Sequence, residues 1–167
     1  IADNVILGKK IGLPGWKDKW ADEALGAPLV SFIGIDINGR GHAVCYNYVA
    51  YFHDGIDVTE QGPPEKDDWK ACSIDFYNND LYLMSDDFIE ADCTAHNIRV
   101  FRNRGFNVGT HAYSAQPIYG GPAYFIRNIA YHAPRGGAFK YNIAPIGVFA
   151  YHNTICSEWT TSSPFQN

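Results

Sequence analysis

The sequence predicts an all-β solenoid, a chain wound into coils whose short strands stack in parallel, and two observations carry that prediction. The first is an asparagine that returns at Asn47, Asn79, Asn103, Asn128 and Asn153, the last four within the pattern apolar, any, apolar, two residues, Asn, any, apolar or small, and Asn47 within its shorter form from Val44 to Val49. The second is its period: the first step is 32 residues and the next three are 24, 25 and 25. A fixed period of twenty-odd residues around a short alternating strand marks a unit that buries its apolar face only by stacking on the next. Inward-pointing amides at equal positions can then form a ladder, each donating to one neighbour and accepting from the other. A lone Asn there would be a buried polar group without partners, at a cost of roughly 1–3 kcal/mol.

Taken along the chain, residues 1–42 hold irregular first coils. Asn4 has Ile1 and Ile6 at the repeat's apolar offsets, and Ile33, Ile35 and Asn38 imitate the pattern again. Between them lies a turn-rich aromatic loop, Gly12 to Trp20, followed by a possible short helix near Ala21 to Leu25. Residues 43–155 are the regular coils, interrupted by a long insertion from Thr59 to Trp69 that contains Gly62-Pro63-Pro64 and several charges. Loops of this length in a solenoid often wall a binding groove. Residues 156–167 look like the start of a further coil or a tail, and the chain opens on Ile1. A single domain that is part of a longer chain, with further coils of its own, is therefore expected.

The copies Ile98-Arg99-Val100-Phe101-Arg102-Asn103, Phe125-Ile126-Arg127-Asn128 and Val148-Phe149-Ala150-Tyr151-His152-Asn153-Thr154-Ile155 resemble the repeat unit of the right-handed parallel β-helix proteins, the pectin lyase-like and polygalacturonase-like superfamily. The stretch Ser114 to Pro122 followed by Tyr124 to Asn128 is similar to a segment of bacterial members. The resemblance implies a right-handed parallel β-helix of about six coils with loop insertions. It also implies a secreted or cell-surface location and a polysaccharide as partner. It is specific for fold and poor for activity, because this scaffold hosts many functions.

Composition bounds the alternatives. With 46% apolar, 15% aromatic and 19% charged residues the chain can build a core. A net charge of −5 without a Lys/Arg cluster argues against nucleic acid or an anionic membrane as partner. No apolar run approaches the roughly 20 residues of a spanning helix. Cys45, Cys72, Cys93 and Cys156 form no C-x-x-C pair, so structural zinc is not expected. Cys72 and Cys93 lie about one coil apart, close enough to pair, although buried free thiols are the default.

Residues at equal distances from each ladder Asn should stack on one face, roughly 4.8 Å apart from coil to coil. Seven residues on, the column reads Asp54, Asp86, Thr110 and Arg135; eight on, it reads Gly55, Asp87, His111 and Gly136. Ten to thirteen on come Asp57, Glu90, Asp92, Tyr113, Ser114 and Lys140. Acidic, imidazole and cationic groups thus fall into neighbouring columns. Any one of these carboxylates is more simply a turn cap; together they form a candidate site.

Hydrolysis of a glycosidic bond needs one carboxylic acid to protonate the leaving oxygen and one carboxylate to attack or to activate water. Asp54, Asp86 and Asp87 are the catalytic candidates, with His111 tuning the acid. Arg135 and Lys140 are placed to hold an acidic sugar's carboxylate, and Tyr113 and Trp69 to stack on or border the substrate. The spacing resembles the polygalacturonase arrangement of motifs on successive coils. Asp86-Asp87 matches the Asp-Asp motif fully, Asp54 matches an Asn-Thr-Asp motif only in its Asp, and Gly109-Thr110-His111 keeps the Gly and His of Gly-His-Gly. Arg135 and Lys140 are too far apart for the contiguous Arg-Ile-Lys motif. That leaves a polysaccharide hydrolase needing no cofactor slightly ahead of a lyase. A lyase would use Ca²⁺ on Asp86, Asp87, Glu90 and Asp92, with Arg135, Lys140 or His111 as base. A third class of function, a non-catalytic glycan-binding or adhesin segment, would show these columns interrupted or splayed apart.

Overall fold

The structure, a computed structural model, describes residues 1–8, 31–58, 62–63, 71–133, 138–141, 143–156 and 165–166. Among them every regular element is a short strand and every strand pairing is parallel. The strands form three sheets. Sheet one contains β3 (Ala43–Cys45), β6 (Ile74–Tyr77), β9 (Ile98–Phe101), β12 (Ala123–Ile126) and β15 (Val148–Tyr151). Sheet two contains β1 (Val5–Leu7), β4 (Tyr48–Ala50), β7 (Asp80–Met84), β10 (Arg104–Val108), β13 (Ile129–Tyr131) and β16 (Thr154–Cys156). Sheet three contains β2 (Ile33–Ile37), β5 (Asp54–Val58), β8 (Ile89–Glu90), β11 (Tyr113–Ser114), β14 (Phe139–Lys140) and β17 (Phe165–Gln166). The fold is the expected parallel β-solenoid. Of the roughly six coils expected, four (β3–β5, β6–β8, β9–β11 and β12–β14) are complete; β1 and β2 stack on β4 and β5 of the first, whose β3 ends its sheet, and β15 to β17 stack on the last.

Alternation within each strand sends one set of side chains inward, and parallel register stacks them. Val44, Phe76, Val100 and Phe125 are aligned across sheet one, all fully buried. Ile56, Ile89, Tyr113 and Phe139 do the same in sheet three. Each large apolar side chain buried this way contributes roughly 1.5–3 kcal/mol. In the matching column of sheet two, Val49 and Leu81 are followed by Gly105, where a Cβ would fall 2.3 Å from the ring of Phe88. The missing side chain makes room for that ring.

Between sheets one and two the chain turns in two residues, and the ladder stands at that corner. The residue before each ladder Asn is left-handed: Tyr46 (φ 57°), Asn78 (53°), Arg102 (57°), Arg127 (55°) and His152 (58°). Such a conformation costs a non-glycine residue roughly 1–2 kcal/mol, so the corner must return more than that. Nδ2 of Asn47, Asn79, Asn103 and Asn128 donates to Oδ1 of the next ladder Asn at 3.0, 3.0, 3.1 and 3.0 Å. The backbone N–H of each donates to the same oxygen at 2.9–3.1 Å. The second Nδ2 hydrogen goes to a backbone carbonyl one coil back, for example Asn103 to Phe76 at 2.9 Å. Asn4 joins the same column through Asn47 Oδ1 at 2.9 Å. Two donors and two acceptor sites per amide are filled. Cys45, Cys72, Cys93 and Cys156 are free thiols.

Candidate functional site

A second corner lies between sheets two and three. It too begins with left-handed residues in register, Tyr51, Leu83, Asn107 and His132. After them the coils differ: His53-Asp54, Ser85-Asp86-Asp87 and Gly109-Thr110-His111. The coils approach closely here, since a Cβ on Gly109 would lie 2.1 Å from the Ser85 carbonyl oxygen. Backbone hydrogen bonds from Asp86 N to His53 O (2.9 Å) and from Thr110 N to Asp86 O (3.3 Å) stack the three segments.

Side chains from the three segments converge. His53 Nε2 stands 3.4 Å from Asp86 Oδ2 and 3.9 Å from Asp54 Oδ2. Thr110 Oγ1 stands within hydrogen-bond reach of Asp86 Oδ1 and, at 3.0 Å, of Asp87 Oδ1, and its single proton serves one of them at a time. Asp87 Oδ1 also accepts from His111 N at 3.1 Å and lies 3.6 Å from His111 Nδ1, while Lys140 Nζ reaches Asp87 Oδ2 at 3.0 Å. The sequence columns therefore bring together Asp54, Asp86, Asp87, His111, Glu90 and Lys140. Two participants stand outside those columns, His53 and Ser85; Thr110 belongs to the same column as Asp86, and its hydroxyl contacts that carboxylate. His53 sits one place before that column, next to Asp54.

Burial divides the cluster into a mouth and a floor. Side-chain exposure is 26% for Asp86 and 13% for His53, 6% for Asp54, and 0% for Asp87. Asp87, expected among the catalytic groups, is thus enclosed by protein and has no exposed side-chain surface. Tyr113, expected to border the substrate, is fully buried and packs on Phe125 and Phe139 with ring centroids 5.9 and 5.6 Å away. The reason is parity: it continues the inward column of Ile56 and Ile89, and Ser114 takes the outward place. Arg135 and Trp69 lie outside the described residues, as do the aromatic loop 12–20, the helix expected near 21–25 and most of the insertion 59–69. Asp92 accepts from Ser114 Oγ at 2.6 Å and Gln116 N at 2.8 Å, which fixes it beside β11.

The environments of these carboxyl groups drive their protonation apart. Burial pushes Asp54 up to about 8; the hydrogen bond from Asp87 N opposes this, and the charges of Asp86, Asp87 and Asp57 add to it. Glu90 goes up to about 11, through burial and then the nearby Asp54, Asp87 and Asp92. Asp57 rises to about 7 and Asp92 to about 6, both chiefly through burial. Asp87 moves the other way, to about 2: burial alone would raise it, but His111, Lys140 and a hydrogen bond with Glu90 outweigh that. Lys140 is likewise pushed down by burial, and up by more through Asp87, so it stays an ammonium. Its 3.5 Å contact with Glu90 is accordingly an ammonium beside a protonated acid, and the ion pair of the floor is Lys140–Asp87.

The outward face of sheet two offers a different surface. Tyr82, Phe106 and Tyr131 align across β7, β10 and β13, with Phe106 44% and Tyr131 50% exposed. A shallow depression of about 270 Å³ between Tyr48, Tyr82 and Phe106 continues that row. No protein family, curated protein or solved structure matches the chain.

Proposed function

We propose that this solenoid cleaves a polysaccharide by hydrolysis, with Asp54 as the general acid and Asp86 as the carboxylate that attacks. The observation that carries this reading is the placement of Asp54 and Asp86 on adjacent coils around His53, their facing oxygens and His53 nitrogen all within 4.8 Å of one another. Asp54, held near 8, carries its proton at neutral pH and can deliver it to the glycosidic oxygen. Asp86 is the more exposed of the two and is oriented by Thr110. So short a separation leaves little room for an intervening water, which favours direct attack and a covalent glycosyl intermediate over inversion. As the C–O bond breaks, the Asp54 proton goes to the leaving oxygen and the Asp86 oxygen bonds the anomeric carbon. Water then displaces Asp86 and returns the proton to Asp54.

Elimination loses one of its three candidate bases, because a base must be neutral and Lys140 is held as an ammonium by Asp87; His111 and Arg135 are the bases it would then use. The likeness to pectin lyase-like and polygalacturonase-like proteins, and with it secretion, rests on the repeat motifs and belongs to the same proposal. Glycan binding without cleavage is the alternative that the aromatic row Tyr82–Phe106–Tyr131 favours.

The test is incubation with a panel of acidic polysaccharides, with and without chelator. New reducing ends without an absorbing unsaturated product, abolished in both Asp54→Asn and Asp86→Asn, are expected. An unsaturated product would replace hydrolysis by elimination. Binding without either product, weakened by Phe106→Ala, would replace both by a binding module.

A further inference from the structure

The mouth of the site has a property that hydrolysis does not require: each of its three polar side chains has one atom tied back and the other aimed at a common point. His53 Nδ1 is hydrogen-bonded with Ser85 Oγ at 3.0 Å, which leaves Nε2 facing Asp86 and Asp54. Asp54 Oδ1 accepts from Asp87 N at 3.1 Å, and Oδ2 faces His53. Asp86 Oδ1 lies within hydrogen-bond reach of Thr110 Oγ1, and Oδ2 faces His53. One atom tied and one atom free is the arrangement that outer partners impose on metal ligands, fixing ring orientation and ligand basicity.

The distances among the free atoms point the same way. Separations of 3.4 and 3.9 Å from His53 Nε2 are longer than a charge-assisted hydrogen bond, which runs to about 2.9 Å. Two donors each about 2.1 Å from a tetrahedral ion stand roughly 3.4 Å apart. The His53–Asp86 pair meets that spacing, while Asp54 at 3.9 Å from His53 closes by about half an ångström when an ion is bound. Phe32 stacks on the His53 ring at 4.9 Å and limits its rotation. One imidazole nitrogen and two carboxylate oxygens, with a side open to solvent at Asp86, suit a borderline divalent ion that retains a water; Ca²⁺ prefers an all-oxygen set.

We infer that His53, Asp54 and Asp86 form a binding site for one divalent transition-metal ion, with Zn²⁺ as its representative. Ser85 and Thr110 are positioning residues for it. The inference stands apart from hydrolysis and constrains it: an ion on Asp54 and Asp86 occupies the acid and the attacking group, so Zn²⁺ inhibits the proposed cleavage.

Calorimetric titration of the full chain with Zn²⁺ alone tests this without any substrate. One equivalent is expected to bind at micromolar concentration. His53→Ala and Asp86→Asn should each weaken it about tenfold or more, Ser85→Ala by about tenfold, and Asp75→Asn on sheet one not at all. Co²⁺ in place of Zn²⁺ should give visible bands of nitrogen and oxygen ligation without a thiolate charge-transfer band, a readout on the wild-type chain that covers the case of a variant failing to fold. No binding, binding indifferent to His53 and Asp86, or a thiolate band from Cys45 or Cys156 would overturn the site. Cleavage and metal binding fail separately: loss of either result leaves the other measurable.

Discussion

The two corners of the coil stack polar side chains by opposite rules. At the ladder corner every coil supplies the same amide, so what each one donates the next accepts, and no charge has to be balanced. At the acidic corner successive coils supply His53-Asp54, Ser85-Asp86-Asp87 and Gly109-Thr110-His111, and the Asp87 charge is offset by His111 within the corner and by Lys140 on β14 from outside it. Repetition makes a polar column self-sufficient. Variation makes it reactive, because groups with unequal environments hold their protons unequally.

Three measurements can break or sharpen that contrast. The largest effect is expected at the acidic corner. Lys140→Met removes the only ammonium reaching Asp87 among the described residues and leaves a carboxylate buried without its ion-pair partner, at a cost of roughly 3–5 kcal/mol. Urea denaturation at neutral pH reads it. A loss below 1 kcal/mol, taken as roughly the value of an exposed pair, would mean that the floor is not sealed.

Asn103→Leu comes next. It strips acceptors from Asn79 N and Asn79 Nδ2 and a donor from Phe76 O, for a loss of roughly 3 kcal/mol in the same assay. The same change at Asn153, which is half-buried at the last described level, should cost less. Equal losses at the two positions would contradict a column whose interior members are bonded on both sides.

The smallest effect is a slope in pH, about 1.4 kcal/mol per pH unit for any one group. Asp54 and Glu90 hold protons in the folded state well above their unfolded values, and Asp57 does so to about 7. The native state therefore binds more protons than the unfolded chain from about pH 4 to about 11, and stability falls as pH rises, most steeply up to about 8 where Asp57 and Asp54 also deprotonate. Asp87, depressed to about 2, acts in the other direction and loses its contribution as pH falls below about 4. Thermal denaturation should show a maximum near pH 4, and Asp54→Asn should flatten the alkaline slope. An unchanged slope in that variant would remove Asp54 from the role of proton carrier.

The ladder corner was legible in the sequence because one residue type and its apolar offsets repeat there. The acidic corner was legible only in part. Asp54 and Asp86 both follow their Asn by seven residues and do stack, but Ile56 follows Asn47 by nine while its partner Ile89 follows Asn79 by ten. Asp87 is the extra residue, and counting from the Asn drifts past it. Side-chain direction was lost for the same reason: Tyr113 points inward because of its parity in β11, and an offset counted from the Asn passes over the left-handed Asn107 near the end of β10. Ser85 and Thr110 carry no signal of their own, since a hydroxyl that orients a ligand looks like any hydroxyl in a turn.

From Asn4 to Asn128, every ladder amide donates in the same chain direction, coil after coil. Six amides from Asn4 to Asn153 thus align their dipoles head to tail, each polarising the next in an interior that screens weakly. The stack has an electrical polarity of its own. It presents an acceptor face toward Asn4 and a donor face toward Asn153, so one level dictates the orientation of the level laid upon it, and an amide turned the wrong way would set oxygen against oxygen. The same bonds that hold the coils together thereby carry a sense of direction along the solenoid axis.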